Sequence, residues 1–86
     1  MEQITSAEGF AIYPNPANDL LSIRSDNDGA FISGISIFSM DGKKVHQQVI
    51  DDALFKTIDI SSLPTGVYQV QLETSGKLVQ MRFVKG

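Results

Sequence analysis

Cysteine and tryptophan are both missing from this 86-residue chain, histidine occurs once and proline three times. Without cysteine there is neither a disulfide nor a thiolate metal site, so stability must come from a packed apolar core. A domain of this size hides roughly 60 % of its unfolded chain's surface. One histidine also leaves little for catalysis, since a nucleophile needs a base and an orienting group beside it. His46 stands in a polar stretch just after a turn and reads as an ordinary surface residue, so no enzyme and no cofactor are expected. Positive charge is scarce as well: ten acidic against seven basic residues leave a net charge of -3. That balance removes the electrostatic attraction that nucleic acids and anionic membranes require of a partner. No apolar run approaches the length of about 18 residues that spans a bilayer. The start, Met1-Glu2-Gln3-Ile4-Thr5, lacks the basic region and apolar stretch of a signal peptide. Such a start suits a cytosolic protein and equally a domain excised from the end of a longer exported chain.

What the chain does contain is alternation. Hydrophobic residues make up 42 % and charged residues 20 %, the balance of a folded domain. Apolar side chains recur at period two, and Gly, Pro, Asn and Asp interrupt them about every ten residues, the pattern of short strands in a sandwich or barrel. Strands are expected from Phe10 to Tyr13, Leu20 to Ser25, Gly34 to Ser39, Lys44 to Val49, Phe55 to Ile60, Tyr68 to Glu73 and Val79 to Phe83. Pro14 has no backbone donor and closes the first of these or confines it to an edge. Asp41-Gly42 supplies the positive φ angles of a tight hairpin. The Phe and Tyr residues fall mostly at alternating positions and are expected in the core. Seven short strands that must each bury one face are best served by two packed sheets, and an all-β, immunoglobulin-like sandwich of about seven antiparallel strands is expected.

Two acidic stretches invite a metal reading. Asp26-Asn27-Asp28-Gly29 could offer oxygens to calcium, but in the EF-hand register with Gly29 sixth, Arg24 and Ile35 fall where carboxylates are required. A plain turn is the favoured reading, an irregular calcium site the alternative, and no metal is expected. Asp51-Asp52 reads as an exposed pair in a loop between two strands.

Two longer segments are more specific. Ile12-Tyr13-Pro14-Asn15-Pro16-Ala17-Asn18-Asp19-Leu20 is a strand end, a rigid bend, an Asx-type turn and a new strand. Ile58-Asp59-Ile60-Ser61-Ser62-Leu63-Pro64-Thr65-Gly66-Val67-Tyr68 ends one strand and starts another. Leu63 is placed to cap the end of the sandwich, Gly66 to allow a backbone shape that a Cβ would obstruct, and Tyr68 to form a tyrosine corner. Each is compatible with a purely structural role.

The order of these segments, with the Asp41-Gly42-Lys43-Lys44-Val45 hairpin between them and Phe83-Val84-Lys85 after them, resembles the type A C-terminal sorting domain, or secretion tail, of type IX secretion substrates from the Bacteroidetes. The likeness runs from Phe10 to Lys85 and rests on Tyr13, Pro14, Asn15 and Pro16, on Gly42, on Ser61, Leu63, Gly66 and Tyr68, and on Lys85. Gly86 follows the expected basic terminus, and Phe38 stands where Tyr is common. The resemblance implies a non-catalytic signal carried by an N-terminally fused cargo. That cargo crosses the periplasm, is recognised in folded form by the outer-membrane type IX machinery, and reaches the cell surface or the medium. It also implies removal by a sortase-like cysteine peptidase, which in many substrates joins the cargo to lipopolysaccharide. Residues 1–9 are then a flexible lead-in from the cargo and 10–86 the sorting domain. A cut is expected in Thr5-Ser6-Ala7-Glu8-Gly9, and the last strand with an exposed Lys85 is expected to be the surface read by the receptor, by strand addition and point charge. The alternative is a non-catalytic accessory sandwich that binds carbohydrate or protein, which needs an exposed aromatic or metal cluster.

Overall fold

The computed structural model describes residues 3–7, 9–26, 30–74 and 76–86, and for 3–7 and Asn15 the backbone alone. Among the described residues there are eight strands and no helix: β1 (Gln3–Ala7), β2 (Phe10–Asn15), β3 (Leu20–Ser25), β4 (Ile32–Ser39), β5 (Lys44–Ala53), β6 (Phe55–Asp59), β7 (Gly66–Thr74) and β8 (Lys77–Lys85). They form two four-stranded antiparallel sheets, ordered β1-β2-β3-β6 and β5-β4-β7-β8. The expected sandwich is present, and β2 to β8 are the seven strands read from the alternation.

The eighth strand corrects one expectation. Residues 3–7, taken as part of a flexible lead-in, pair with β2 through Thr5↔Ile12, Ser6↔Ala11 and Ala7↔Phe10. Edge strands of a sheet need backbone partners more than a strong sequence pattern, and this stretch has no alternation strong enough to set against the lead-in that the family resemblance implies. The register skips between Gln3 and Thr5, where Gln3 lies opposite Asn15, across from the donor-less Pro14. The Tyr13–Pro14 peptide bond is cis.

Period-two burial produces the core. Along β8, Val79, Met81, Phe83 and Lys85 are buried while Gln80, Arg82 and Val84 are exposed. Phe10, Ile12, Leu21, Ile23, Ile35, Ile37, Val70, Leu72 and Phe83 interlock between the sheets, and Leu63 packs against them from the end. Outside, the second sheet carries amides: Gln69 Nε2 donates to Gln80 Oε1 at 2.7 Å, and Gln80 Nε2 to Gln71 Oε1 at 3.1 Å. Only part of the aromatic complement is in the core. Phe10, Phe83 and Tyr68 are buried, whereas Phe31 and Phe55 are exposed. Each is out of phase with a buried residue of its segment, Phe31 with Ile32 and Phe55 with Ile58, and so faces outward.

Two turn details also differ from expectation. In the β4–β5 hairpin only Gly42 is left-handed, at φ 88°. Gly42 N donates to Ser39 O and Ser39 N to Lys43 O, so the glycine follows a turn in place of forming its centre with Asp41. Asp51 and Asp52 lie inside β5, not in a loop. Val49 pairs with Gly34 and Ala53 with Ile32, so the extra residues between them bulge, and Asp52 takes φ 40°. Aspartate tolerates that region better than most side chains, and an exposed acidic bulge blunts an edge strand.

Phe83→Ala is expected to cost about 3–5 kcal/mol, because it empties a fully buried site stacked on Tyr68. A urea titration followed by circular dichroism would show the loss as a lower midpoint.

Candidate functional site

Strand direction sorts the connections between two poles. β2 ends and β3 begins at the pole where β4 turns into β5, since Leu20 pairs with Asp59 and Ser39 with Tyr68. β6 crosses to β7 at this same end, and β8 finishes there, with Gly66 opposite Lys85. The Tyr13–Pro16 bend, the Gly42 hairpin, the Ser61–Tyr68 crossing and Lys85 therefore gather on one pole, although 72 positions separate the first from the last in sequence (85 minus 13).

Backbone bonds tie the two sheets together at this pole. Ala17 N donates to Val84 O at 2.8 Å and Gly86 N donates to Ala17 O at 2.7 Å, an isolated parallel bridge between Ala17 and Lys85. Ile60 N donates to Asp19 O at 2.8 Å, which joins the bend to the β6–β7 crossing. Sequence reading singled out the Pro-Asn-Pro box and passed over Ala17. Its only signal is a small residue between a rigid bend and an Asx turn, where a bulky side chain would have to be buried: Ala17 is fully buried.

The tyrosine corner is present. Tyr68 Oη donates to Pro64 O at 2.6 Å while its ring stacks on Phe83 at 5.6 Å between centroids. Leu63 N donates to Ile60 O and closes the turn that carries Leu63 onto the core. Gly66 departs from its assigned role. It has no left-handed backbone, and a Cβ there would only touch the Tyr68 ring at 4.0 Å, an ordinary contact. Tyr13 is half-buried on the outer face of the first sheet, with the Arg24 guanidinium 5.5 Å from its ring centre; Pro14 is half-buried and Pro16 exposed.

Lys85 differs most. It is buried, 8 % exposed, and its ammonium donates to Gly86 O at 3.2 Å. The alternation of β8 explains this: Lys85 is in phase with Val79, Met81 and Phe83, so its stem lies on the inner face and closes the sandwich. It is not the exposed point charge expected of it.

A family model described as a secretion system C-terminal sorting domain matches residues 11–86. The chain belongs to this family. Among solved structures, a DUF3244 family protein from Bacteroides vulgatus ATCC 8482 with an immunoglobulin-like β-sandwich fold is similar, at a TM-score of 0.73 and 16 % identity. That match covers 99 % of this chain and 96 % of the other, and it speaks for the fold alone. No curated protein matches the chain. Membership makes this sorting domain a C-terminal signal for type IX secretion, the part of an exported protein that engages the secretion system on behalf of a fused cargo and directs it to the cell surface or medium.

Other features of the sorting domain lie away from the motif pole. His46 shares the inner side of edge strand β5 with Gln48, opposite Ile37, and is half-buried with its Nε2 3.4 Å from Gln48 Oε1, so it is not a plain surface residue. A groove of about 140 Å³ on the outer face of the second sheet is floored by Gly34 and Ser36 and walled by Gln47, Val49, Gln71 and Leu78. Of the calcium alternative at residues 26–29, 27–29 lie outside the described residues, and Asp26 accepts from Arg24 Nε at 2.8 Å. Among the described residues no group of three or more His, Asp or Glu is arranged to hold a metal.

Two carboxylates brace turns of the pole. Asp59 accepts from the Ser61 hydroxyl and the Ser61 backbone, which hold its pKa below the ordinary 3.8. Asp41 accepts from the Ser39 hydroxyl and from Lys43 N, with the same effect. Groups with a depressed folded pKa stabilise the fold above their unfolded value, and that contribution disappears as pH falls through the folded one. Stability should therefore drop on acidification from about pH 5 to below pH 3, and the double variant D41N/D59N should show a flatter urea-midpoint profile across that range. Tyr68→Phe should cost on the order of 1 kcal/mol through loss of the Pro64 bond, read as a lower thermal midpoint.

Proposed function

We propose that the motif pole, and not the last strand alone, is the surface through which this sorting domain is read. The supporting observation is the gathering of the Tyr13–Pro16 bend, the Gly42 hairpin, the Ser61–Tyr68 crossing and the end of β8, cross-linked through Ala17. The folded sandwich has to exist before these segments become neighbours, so such a surface is absent from an unfolded chain. A receptor that reads it would thereby accept folded substrate only. On this reading Tyr13, Pro14, Asn15, Leu63, Tyr68 and Lys85 act by building the pole. Exposed positions such as Pro16, Met40 and Val67 make the contact.

The finer steps belong to the same proposal. The cargo precedes the domain and passes through the periplasm, the domain has no catalytic activity of its own, and a sortase-like cysteine peptidase removes it. Because Gln3–Ala7 is paired, a cut that leaves the sandwich whole falls before Gln3, upstream of the Thr5–Gly9 stretch that composition favours.

The test fuses the chain to an inert periplasmic reporter in a Bacteroidetes host with and without type IX machinery. Reporter should reach the medium or surface only where the machinery is intact; retention in both strains would overturn the sorting reading. Val67→Lys, an exposed change expected to alter stability by no more than about 1 kcal/mol, should reduce export severalfold. Ala17→Pro deletes the donor to Val84 O and should lower export and thermal midpoint together. If Val67→Lys is exported normally while a change on β8 far from the pole, such as Gln80→Lys, blocks export, the pole is not the surface that is read.

A further inference from the structure

We propose that the outer edge of β2 is an acceptor site for an extended peptide strand, and that Gln3–Ala7 is an exchangeable occupant which a strand from a second polypeptide can replace. Four observations carry this. β1 is an edge strand, bonded to β2 on one side only. It comes from residues 3–7, whereas the family match begins at residue 11, so this strand of the sandwich is supplied by sequence that the family pattern does not specify. Its regular pairing covers only Thr5, Ser6 and Ala7 before the register skips beside Pro14. Finally, β1 lies against β8 as well as β2, at the side of the sandwich where the two sheets meet.

Physically, an edge of this kind is unfilled business for the backbone. Removing β1 would leave β2 with unpaired N–H and C=O groups, which an extended strand of the same chemistry as β1 would satisfy. The chemistry of the occupant follows from Gln-Ile-Thr-Ser-Ala: uncharged, with apolar Ile and Ala set among polar Gln, Thr and Ser, and free of proline. In the intact chain the short hairpin through Gly9, at φ 84°, holds β1 at a millimolar effective concentration or above, which keeps competitors out. A break in that hairpin removes the advantage. The inference concerns the folded domain alone and does not depend on which pole a receptor reads.

The experiment inserts a specific protease site between Ala7 and Gly9 of the full chain, nicks the folded protein and adds a fluorescent peptide of residues 1–8. The labelled peptide should enter the nicked domain at least about tenfold more readily than the intact one, because only there has the tethered competitor been freed. A peptide carrying T5P and S6P together should not enter. Backbone N–H groups alternate in direction along a strand, so the pair removes whichever of the two faces β2. If nicking unfolds the domain, added wild-type peptide should refold it. Failure of the peptide to enter or to rescue, or equal entry by the T5P/S6P peptide, would overturn the proposal.

Discussion

The arrangement of the motif pole depends on one backbone tie, the pair of hydrogen bonds that Ala17 makes with Val84 and Gly86. The bonded sheets themselves fix each strand relative to its neighbours within a layer, but nothing in a ladder fixes one layer to the other except side-chain packing, which is not directional. Ala17 supplies the directional part. It belongs to the loop that leaves the first sheet and pairs with the end of the second, so the bend that carries Pro14 and Pro16 and the strand that carries Lys85 are held in one register. The bond from Ile60 N to Asp19 O extends the tie to the crossing before Tyr68. Because the groups joined are backbone groups, the tie sets few demands on side-chain identity beyond a small residue at 17.

Much of the fold can be read directly from the chain because alternation is a strong signal wherever one face of a strand is buried. β7 and β8, with Val70 and Leu72 against Val79, Met81 and Phe83, are legible as alternation, and so is the tyrosine corner, whose spacing from Leu63 to Tyr68 is local. β1 was invisible for the opposite reason: an edge strand can be specified by the backbone it docks on, and its own residues need not announce it. The bulge that takes in Asp52 likewise has no period of its own. It is visible only as a mismatch between Val49↔Gly34 and Ala53↔Ile32.

The candidate site shows the same division. Sequence supplied the members of the pole but misjudged how two of them work. Lys85 was read by its charge, whereas its place in the alternation of β8 decides its environment, and the charged head is accommodated at the end of an inward-facing stem. Gly66 was read by its missing Cβ, yet the space around it is open enough for one. Ala17 carried no visible chemistry and proved to be the point at which the layers meet. A residue's partners are set by topology, and topology cannot be read from a residue type.

Gln3 lies opposite Asn15, so β1 enters the sandwich at the pole where β8 finishes. The two routes to that pole differ greatly in contour length but bring both ends of the described fold to the same neighbourhood. A folded body attached just ahead of Gln3 would therefore stand over the motif bend, not on the far side of the molecule. The number of residues between such a body and β1 thus becomes a spatial variable: a few residues set whether the pole is shaded or open, with no change to the sandwich itself.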